Sequence, residues 1–479
     1  MKWALSVVFA LLFTTTGLNA KVKLPSILGD NMVFQQQTKV KIWGEAEAKA
    51  VVTVKTSWDN KTYTATADSK GRWLLAAGTP AAGGPYEISI SDGQEVVLKN
   101  ILVGEVWFCS GQSNMEMPVR GFDGQPIKGS NDAIAAARPQ TPIRMYTTDS
   151  KDGNWLRQFS KQPQADCKGE WLEHTSVHVA NISATAYFFA QYIQEALDVP
   201  VGIVVSSWGG SKLEAWMSRE VLAPFTEVNL SHLDNNEEVK QPTSTPCVLY
   251  NAKIAPLTNY AIRGFLWYQG ESNRDKPELY EQLAPVFVAD LRRKWDVGEF
   301  PFYFVQIAPY YYEGADGISA ARFRDAQLQN MKDIPNSGMA MTIDIGDSLC
   351  IHPADKETVG KRLAWWALSE TYGKTGIGYK APEYKSMEIA GNKISLEFEN
   401  ARYGLTPLWG KLSGFEIAGA DRTFYPADAE IDLRTRKIVV SHKDVTQPVA
   451  VRYAYKNYTE ASVFDIYGIP LTPFRTDNW

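Results

Sequence analysis

The chain has 479 residues, a formal net charge of -5, a 44% hydrophobic and a 22% charged composition. These are ordinary globular proportions, enough to bury a sizeable core in roughly two to four domains. No long basic run is present, so neither charge nor composition points to a nucleic-acid partner. The 15 Trp and 22 Tyr can stack on sugar faces as well as pack a core, which makes a carbohydrate ligand plausible.

Residues 1–20 read as a secretory signal. Lys2 supplies the positive start, residues 4–13 are mostly apolar, and residues 14–20 are small and polar up to Ala20. Cleavage there would leave Lys21 as the mature start. The apolar run is too short to span a bilayer, and no later run is long enough. A soluble periplasmic or secreted protein without stable membrane insertion is expected. Oxidation there could pair Cys109, Cys167, Cys247 and Cys350. None of these has zinc-ligand spacing, so no structural metal is expected.

Residues 21–100 alternate short β-prone runs with turns. Lys39-Val-Lys-Ile-Trp-Gly and Val51-Val-Thr-Val-Lys have the period of two expected of a small β-sandwich. Residues 101–374 change to alternating strands and helices. Strands are expected at 106–109, 202–206, 264–268, 302–306 and 339–343. Helices are expected at 184–197, 279–295, 320–332 and 356–371. This alternation predicts a parallel sheet covered on both faces. Residues 375–479 return to strands, either as a second sandwich or completing the first.

Ligands of open parallel sheets bind beyond the carboxyl ends of the strands, so the turns after the apolar runs carry the candidate chemistry. The first is Gly111-Gln112-Ser113-Asn114, where a glycine lets the serine stand clear of the sheet and offer its own N–H to an oxyanion. The second is Trp208-Gly209-Gly210-Ser211, whose glycines allow close backbone approach to a ligand. The third is Gln269-Gly270-Glu271-Ser272-Asn273, which clusters amides around a carboxylate. The fourth runs from Asp344 through Asp347 to His352 and Asp355. Of the five histidines, only His352 follows an apolar strand with carboxylates nearby. It suits a general base for Ser113. A metal held by Asp344, Asp347 and His352 is a weaker reading of the same residues.

Together these turns resemble the sialate O-acetylesterase family of SGNH hydrolases. The resemblance rests on Gly111-Gln-Ser-Asn-Met, Trp208-Gly-Gly-Ser with Glu214 and Trp216, Trp267-Tyr-Gln-Gly-Glu-Ser-Asn and Ile351-His-Pro-Ala-Asp-Lys. It also takes in Leu249-Tyr-Asn-Ala-Lys-Ile-Ala-Pro-Leu and Gly468-Ile-Pro-Leu-Thr-Pro-Phe-Arg, so it covers nearly the whole mature chain. It implies a flavodoxin-like α/β core, a three-layer parallel sheet flanked by β-sandwich regions. It implies Ser113 as nucleophile and His352 as base. The oxyanion hole would draw on the N–H of Ser113, the N–H of Gly209 or Gly210, and a side chain of Gln269 or Asn273. Gln112, Asn114 and Glu271 would support them. Many SGNH enzymes carry an aspartate three residues before the histidine, where this chain has Leu349. A backbone carbonyl is therefore the favoured partner of His352, with Asp344, Asp347 and Asp355 as alternatives. Asp355 also suits a helix cap.

The expected activity is removal of O-acetyl groups from sialic acids, without a metal or organic cofactor. Arg120, Arg274, Arg322 and Arg324 are candidates to clamp a sugar carboxylate. Acetylxylan or another polysaccharide is the rival substrate, and a carbohydrate-binding protein with an inactive hydrolase core is the rival class. Cys109 and Cys350 both lie near the proposed turns, which suggests their pairing.

Overall fold

The computed structural model describes residues 21–151, 154–408 and 410–479. The expected signal segment lies outside them. The central sheet contains β1 (Glu95–Gly111), β2 (Ile143–Thr147), β3 (Glu170–Glu173), β4 (Val201–Ser207), β5 (Gly264–Tyr268), β6 (Phe302–Val305) and β7 (Ser337–Ala340). Their order is β3-β2-β4-β1-β5-β6-β7. All neighbours are parallel except β3, which runs against β2.

Successive residues of these strands enter different cores, as the period of a strand requires. Val106, Phe108, Phe265, Trp267, Phe302 and Phe304 pack into one core. Trp107, Cys109, Leu266, Tyr268, Tyr303 and Val305 pack into the other. Burial on both faces is why the strands read as continuous apolar runs rather than as alternating patterns.

Five helices matter for the site: α1 (Ser113–Glu116), α2 (Ala184–Leu197), α3 (Pro277–Trp295), α4 (Ser319–Asp333) and α5 (Lys356–Trp366). Apolar residues of α3 and α4 join the first core, and those of α2 and α5 join the second. The caps are local sequence choices. The Ser183 side chain accepts from the Ala186 N–H, Pro277 opens α3, and Asp355 accepts from the Thr358 N–H. Helix α5 ends earlier than expected, and Ala367–Thr371 continues it as a wider π turn. The strand expected at 339–343 lies instead at Ser337–Ala340.

Strand β1 crosses from the N-terminal strands into the central sheet. Its first part pairs antiparallel with Gly83–Ser91 and parallel with Val33–Gln35, and its second part lies between β4 and β5. The transition expected at residue 100 thus falls inside one continuous strand. Val40, Ile42, Val52, Val54, Trp73 and Leu75 of the N-terminal strands share the first core. The C-terminal region has two antiparallel four-stranded sheets. Their inward residues, among them Ile394, Leu396, Ile417, Val440 and Val451, form a core of their own joined by Ile343.

The four cysteines are free thiols. The suggested Cys109–Cys350 pairing is therefore corrected. Cys109 is buried in β1, where loss of solvent pushes its thiol pKa up. The Cys350 thiol donates instead to the His352 carbonyl at 3.3 Å. Among the described residues, no helix is long and apolar enough to cross a membrane.

Candidate active site

Strand β1 ends on Gly111 with φ +142°, where a Cβ would stand 2.1 Å from the Tyr268 carbonyl oxygen. Only glycine permits that approach between β1 and β5. The Gln112 N–H donates to the same carbonyl at 3.0 Å. Its side-chain oxygen accepts from the N–H groups of Gly270 at 3.2 Å and Ser272 at 3.4 Å. Gln112 thereby fixes the third turn to the first, and Ser113 follows as the first residue of α1.

The Ser113 hydroxyl lies 2.8 Å from His352 Nε2, and His352 Nδ1 lies 2.6 Å from Gln125 Oε1. An amide oxygen can only accept. Nδ1 therefore carries the proton of the neutral ring, and the Nε2 lone pair faces the serine hydroxyl. The Phe122 ring packs edge-on against the imidazole at 5.4 Å. Burial first, and the Lys356 cation second, push the His352 pKa down to about 4.

Gln125 occupies the place for which the sequence suggested a backbone carbonyl or a carboxylate. The three carboxylates are engaged elsewhere. Asp344 makes paired hydrogen bonds with Arg362, both 2.7 Å. Asp347 accepts from the N–H groups of Leu349 and Cys350 at 2.7 and 3.0 Å. Asp355 caps α5 and pairs with Lys128 at 3.1 Å. Leu349, where many such enzymes carry an aspartate, is 82% exposed. Among the described residues, no group of three or more His, Cys, Asp or Glu side chains could hold a metal.

Gln125 sits in the loop after α1, where Phe122 and Gln125 exchange backbone hydrogen bonds of 3.1 and 3.0 Å. The Lys128 N–H ties this loop to the Ala354 carbonyl at 2.9 Å, close to His352. Gly121-Phe-Asp-Gly-Gln-Pro reads in sequence only as a turn, so nothing marked this amide as a partner of His352.

The expected oxyanion donors divide. The Gly209 N–H donates to the Glu116 carboxylate, whose other oxygen accepts from Arg157 at 2.7 Å. A Cβ on Gly209 would meet Glu116 at 2.9 Å and the Ser113 Cβ at 3.3 Å, so this turn lies directly against Ser113. Gln269 donates to the Ser211 carbonyl at 3.0 Å and to Asn273 Oδ1 at 2.7 Å. Asn273 donates to Glu214 at 2.8 Å and accepts from the Leu213 N–H at 2.9 Å. Both side chains are thus spent bracing the second and third turns together. Among the described residues, the N–H groups of Ser113 and Gly210 have no protein acceptor. Gly210 has φ +71° with open space where a Cβ would stand.

The Asn114 amide, next to Ser113 in sequence, donates to Glu271 at 2.6 Å. The candidate arginines scatter. Arg120 donates to Asn181, Arg274 pairs with Glu313 over the Tyr312 ring, and Arg322 pairs with Glu278. Arg324 is fully buried and donates to backbone carbonyls of Ile307, Lys456 and Asn457. The sequence reading passed over Arg157, which lies 5.1 Å over the Trp208 ring beside Glu116.

Residues 103–369 match the model of the family described as carbohydrate esterase, sialic acid-specific acetylesterase. The chain belongs to this family. This esterase is 34% identical to a carbohydrate acetylesterase from Xanthomonas citri, with a TM-score of 0.85 over 96% of this chain and 100% of that one. It is 28% identical over 427 residues to the sialate O-acetylesterase of Rattus norvegicus, covering 77% of each chain. With that of Homo sapiens it shares 28% over 404 residues, 78% of this chain and 75% of the relative. The family match contains Ser113, Gln125 and His352.

Proposed function

We propose that the protein is an exported carbohydrate O-acetylesterase that works through an acyl-enzyme on Ser113. The observation that carries this reading is the continuous contact from Ser113 through His352 to Gln125. Ser113 Oγ attacks the acetyl carbonyl while His352 Nε2 takes its proton. Gln125 keeps the proton on Nδ1 and holds the ring in place as it becomes an imidazolium. The tetrahedral oxyanion receives the N–H groups of Ser113 and Gly210, the two left without acceptors. His352 then protonates the leaving sugar oxygen, and water repeats the sequence on the acetyl-enzyme. No step needs a cofactor.

The strand order supports an SGNH-type, flavodoxin-like core of three layers. Without β2 and the edge strand β3, the order β4-β1-β5-β6-β7 is the 2-1-3-4-5 arrangement of that fold. Its helices join cores on both faces of the sheet. The relatives favour O-acetylated sialic acid as substrate. The Xanthomonas citri protein, described only as a carbohydrate acetylesterase, keeps acetylated plant polysaccharide such as xylan as the second reading. Acetate release from both substrates decides: activity confined to xylan contradicts the sialate assignment. Export rests on residues 1–20, and a mature N-terminus at Lys21 is its test. Neither nucleic acid nor stable membrane insertion has a place in this reading.

Replacing Ser113 by alanine is expected to lower turnover of an aryl acetate by about a thousand-fold or more. Undiminished turnover in the folded variant would contradict the mechanism. A binding protein with an inactive core would instead show no adduct with a fluorophosphonate in the parent chain.

A further inference from the structure

A buried polar cluster lies directly behind the reacting pair, and the mechanism above leaves it unused. Its centre is Asn114, next to the nucleophile in sequence. The Asn114 amide donates to Glu271 at 2.6 Å and to the carbonyl of Ile351, the residue before His352, at 3.2 Å. Its side-chain oxygen accepts from the Lys356 ammonium. Its backbone carbonyl accepts from the Thr185 hydroxyl at 3.2 Å. One amide therefore joins the end of β1, the turn after β5 and the loop that carries His352.

Lys356 has no exposed surface, and its ammonium lies 5.3 Å from the Tyr268 ring centre. A buried lysine is costly unless neighbouring groups compensate it. The groups facing it are Glu271 from the third turn, Cys350 and Asp355 from the base loop, and the Tyr268 ring from β5. Among the described residues, the charge that acts on His352 is Lys356, while its other polar neighbours, Ser113 and Gln125, are neutral.

We propose that Asn114, Lys356 and Glu271 form a clamp of positioning residues that holds His352 against Ser113. The clamp rests on the Ser113–His352 reading and adds to it. A hydrogen-bonded amide sets the spacing of two catalytic loops, and a buried cation keeps the imidazole neutral in acid. Burial pushes Lys356 down to about 7, and Glu271, Cys350 and Asp355 counter that fall. Burial raises Glu271, while its bond to Asn114 and the Lys356 charge counter the rise. The ammonium in turn contributes to the low value of His352.

The experiment is the pH profile of kcat and kcat/KM on an aryl acetate for the parent, Lys356→Met and Asn114→Ser, with Ser113→Ala alongside. Lys356→Met removes a cation from beside the imidazole, so the acid limb moves to higher pH. Loss of fixed geometry lowers kcat by about ten-fold or more while KM changes less than about two-fold. Asn114→Ser lowers kcat similarly because the link to Ile351 is lost. A folded Lys356→Met with the parental acid limb and kcat overturns the clamp. If that variant does not fold, unchanged kcat in Asn114→Ser overturns it. Activity surviving in Ser113→Ala would overturn the underlying mechanism and the clamp with it. Loss in Ser113→Ala with parental profiles in both clamp variants would overturn the clamp alone.

Discussion

A serine esterase needs its histidine to present a lone pair to the hydroxyl and to hold the other ring nitrogen protonated. On the proposed mechanism Gln125 meets the second need through an amide oxygen 2.6 Å from Nδ1. It orients the ring as a carboxylate would but brings no negative charge. The imidazole therefore lies in a half-buried place with the Lys356 cation as its charged neighbour. Its pKa is held near 4, below the ordinary 6.5. The sign follows directly: a base is active only when neutral, so on the proposed mechanism catalysis is expected to persist through mildly acidic pH and to fail as pH falls toward about 4. Gln125→Glu places a negative charge at Nδ1, which favours the imidazolium and moves the acid limb of kcat/KM to higher pH. Gln125→Leu removes the acceptor and is expected to lower kcat about ten- to a hundred-fold. An unshifted acid limb in Gln125→Glu, together with parental kcat in Gln125→Leu, would show that this amide does not serve the base.

At the scale of elements, the site is a set of turns at the carboxyl ends of parallel strands. Those turns were legible because each follows a run of residues buried on both faces and contains a glycine; at Gly111 and Gly346 a Cβ would strike a backbone carbonyl. Gly111 is the clearest case, since its Cβ would strike the Tyr268 carbonyl. Side-chain direction was not legible. Gln269 and Asn273 have the chemistry of oxyanion donors, but they spend it on Ser211 and Glu214. Gly209 likewise gives its N–H to Glu116. Gln125 lies on a loop with no periodic pattern, and β2 (Ile-Arg-Met-Tyr-Thr) and β3 (Glu-Trp-Leu-Glu) carry charged residues that break up an apolar run. Asp355 was ambiguous between cap and catalytic partner. Its carboxylate on the Thr358 N–H, 2.9 Å away, predicts that Asp355→Ala costs about 1 kcal/mol of stability. Activity at 25 °C should change less than about three-fold, because no bond of His352 is removed. Thermal unfolding and initial rates check this, and collapse of kcat in the folded variant would return Asp355 to the base.

At the scale of the whole molecule, the β-rich flanks are continuous with the catalytic core. Strand β1 begins among the N-terminal strands and ends at Gly111, so one strand bears both regions. The C-terminal region is fastened through α4. Buried Arg324 donates to the carbonyls of Lys456 and Asn457 at 2.8 and 3.0 Å, and Asn457 accepts from the Ala320 N–H at 2.9 Å. The change of composition along the chain showed where strands replace helices, but not that a buried arginine joins the two regions. A chain ending at residue 374 would leave that cation without most of its acceptors, a loss of several kcal/mol. It is expected to be markedly less resistant to heat and protease than the full chain, and equal resistance would contradict this view of the junction.

The central claim is that Ser113 carries the acyl group. Mass spectrometry of peptides from enzyme quenched during turnover of an aryl acetate tests it most directly. An acetyl group on the peptide containing Ser113, absent from Ser113→Ala, is the predicted result. Turnover with the acetyl group on another residue, or undiminished turnover by Ser113→Ala, would contradict it.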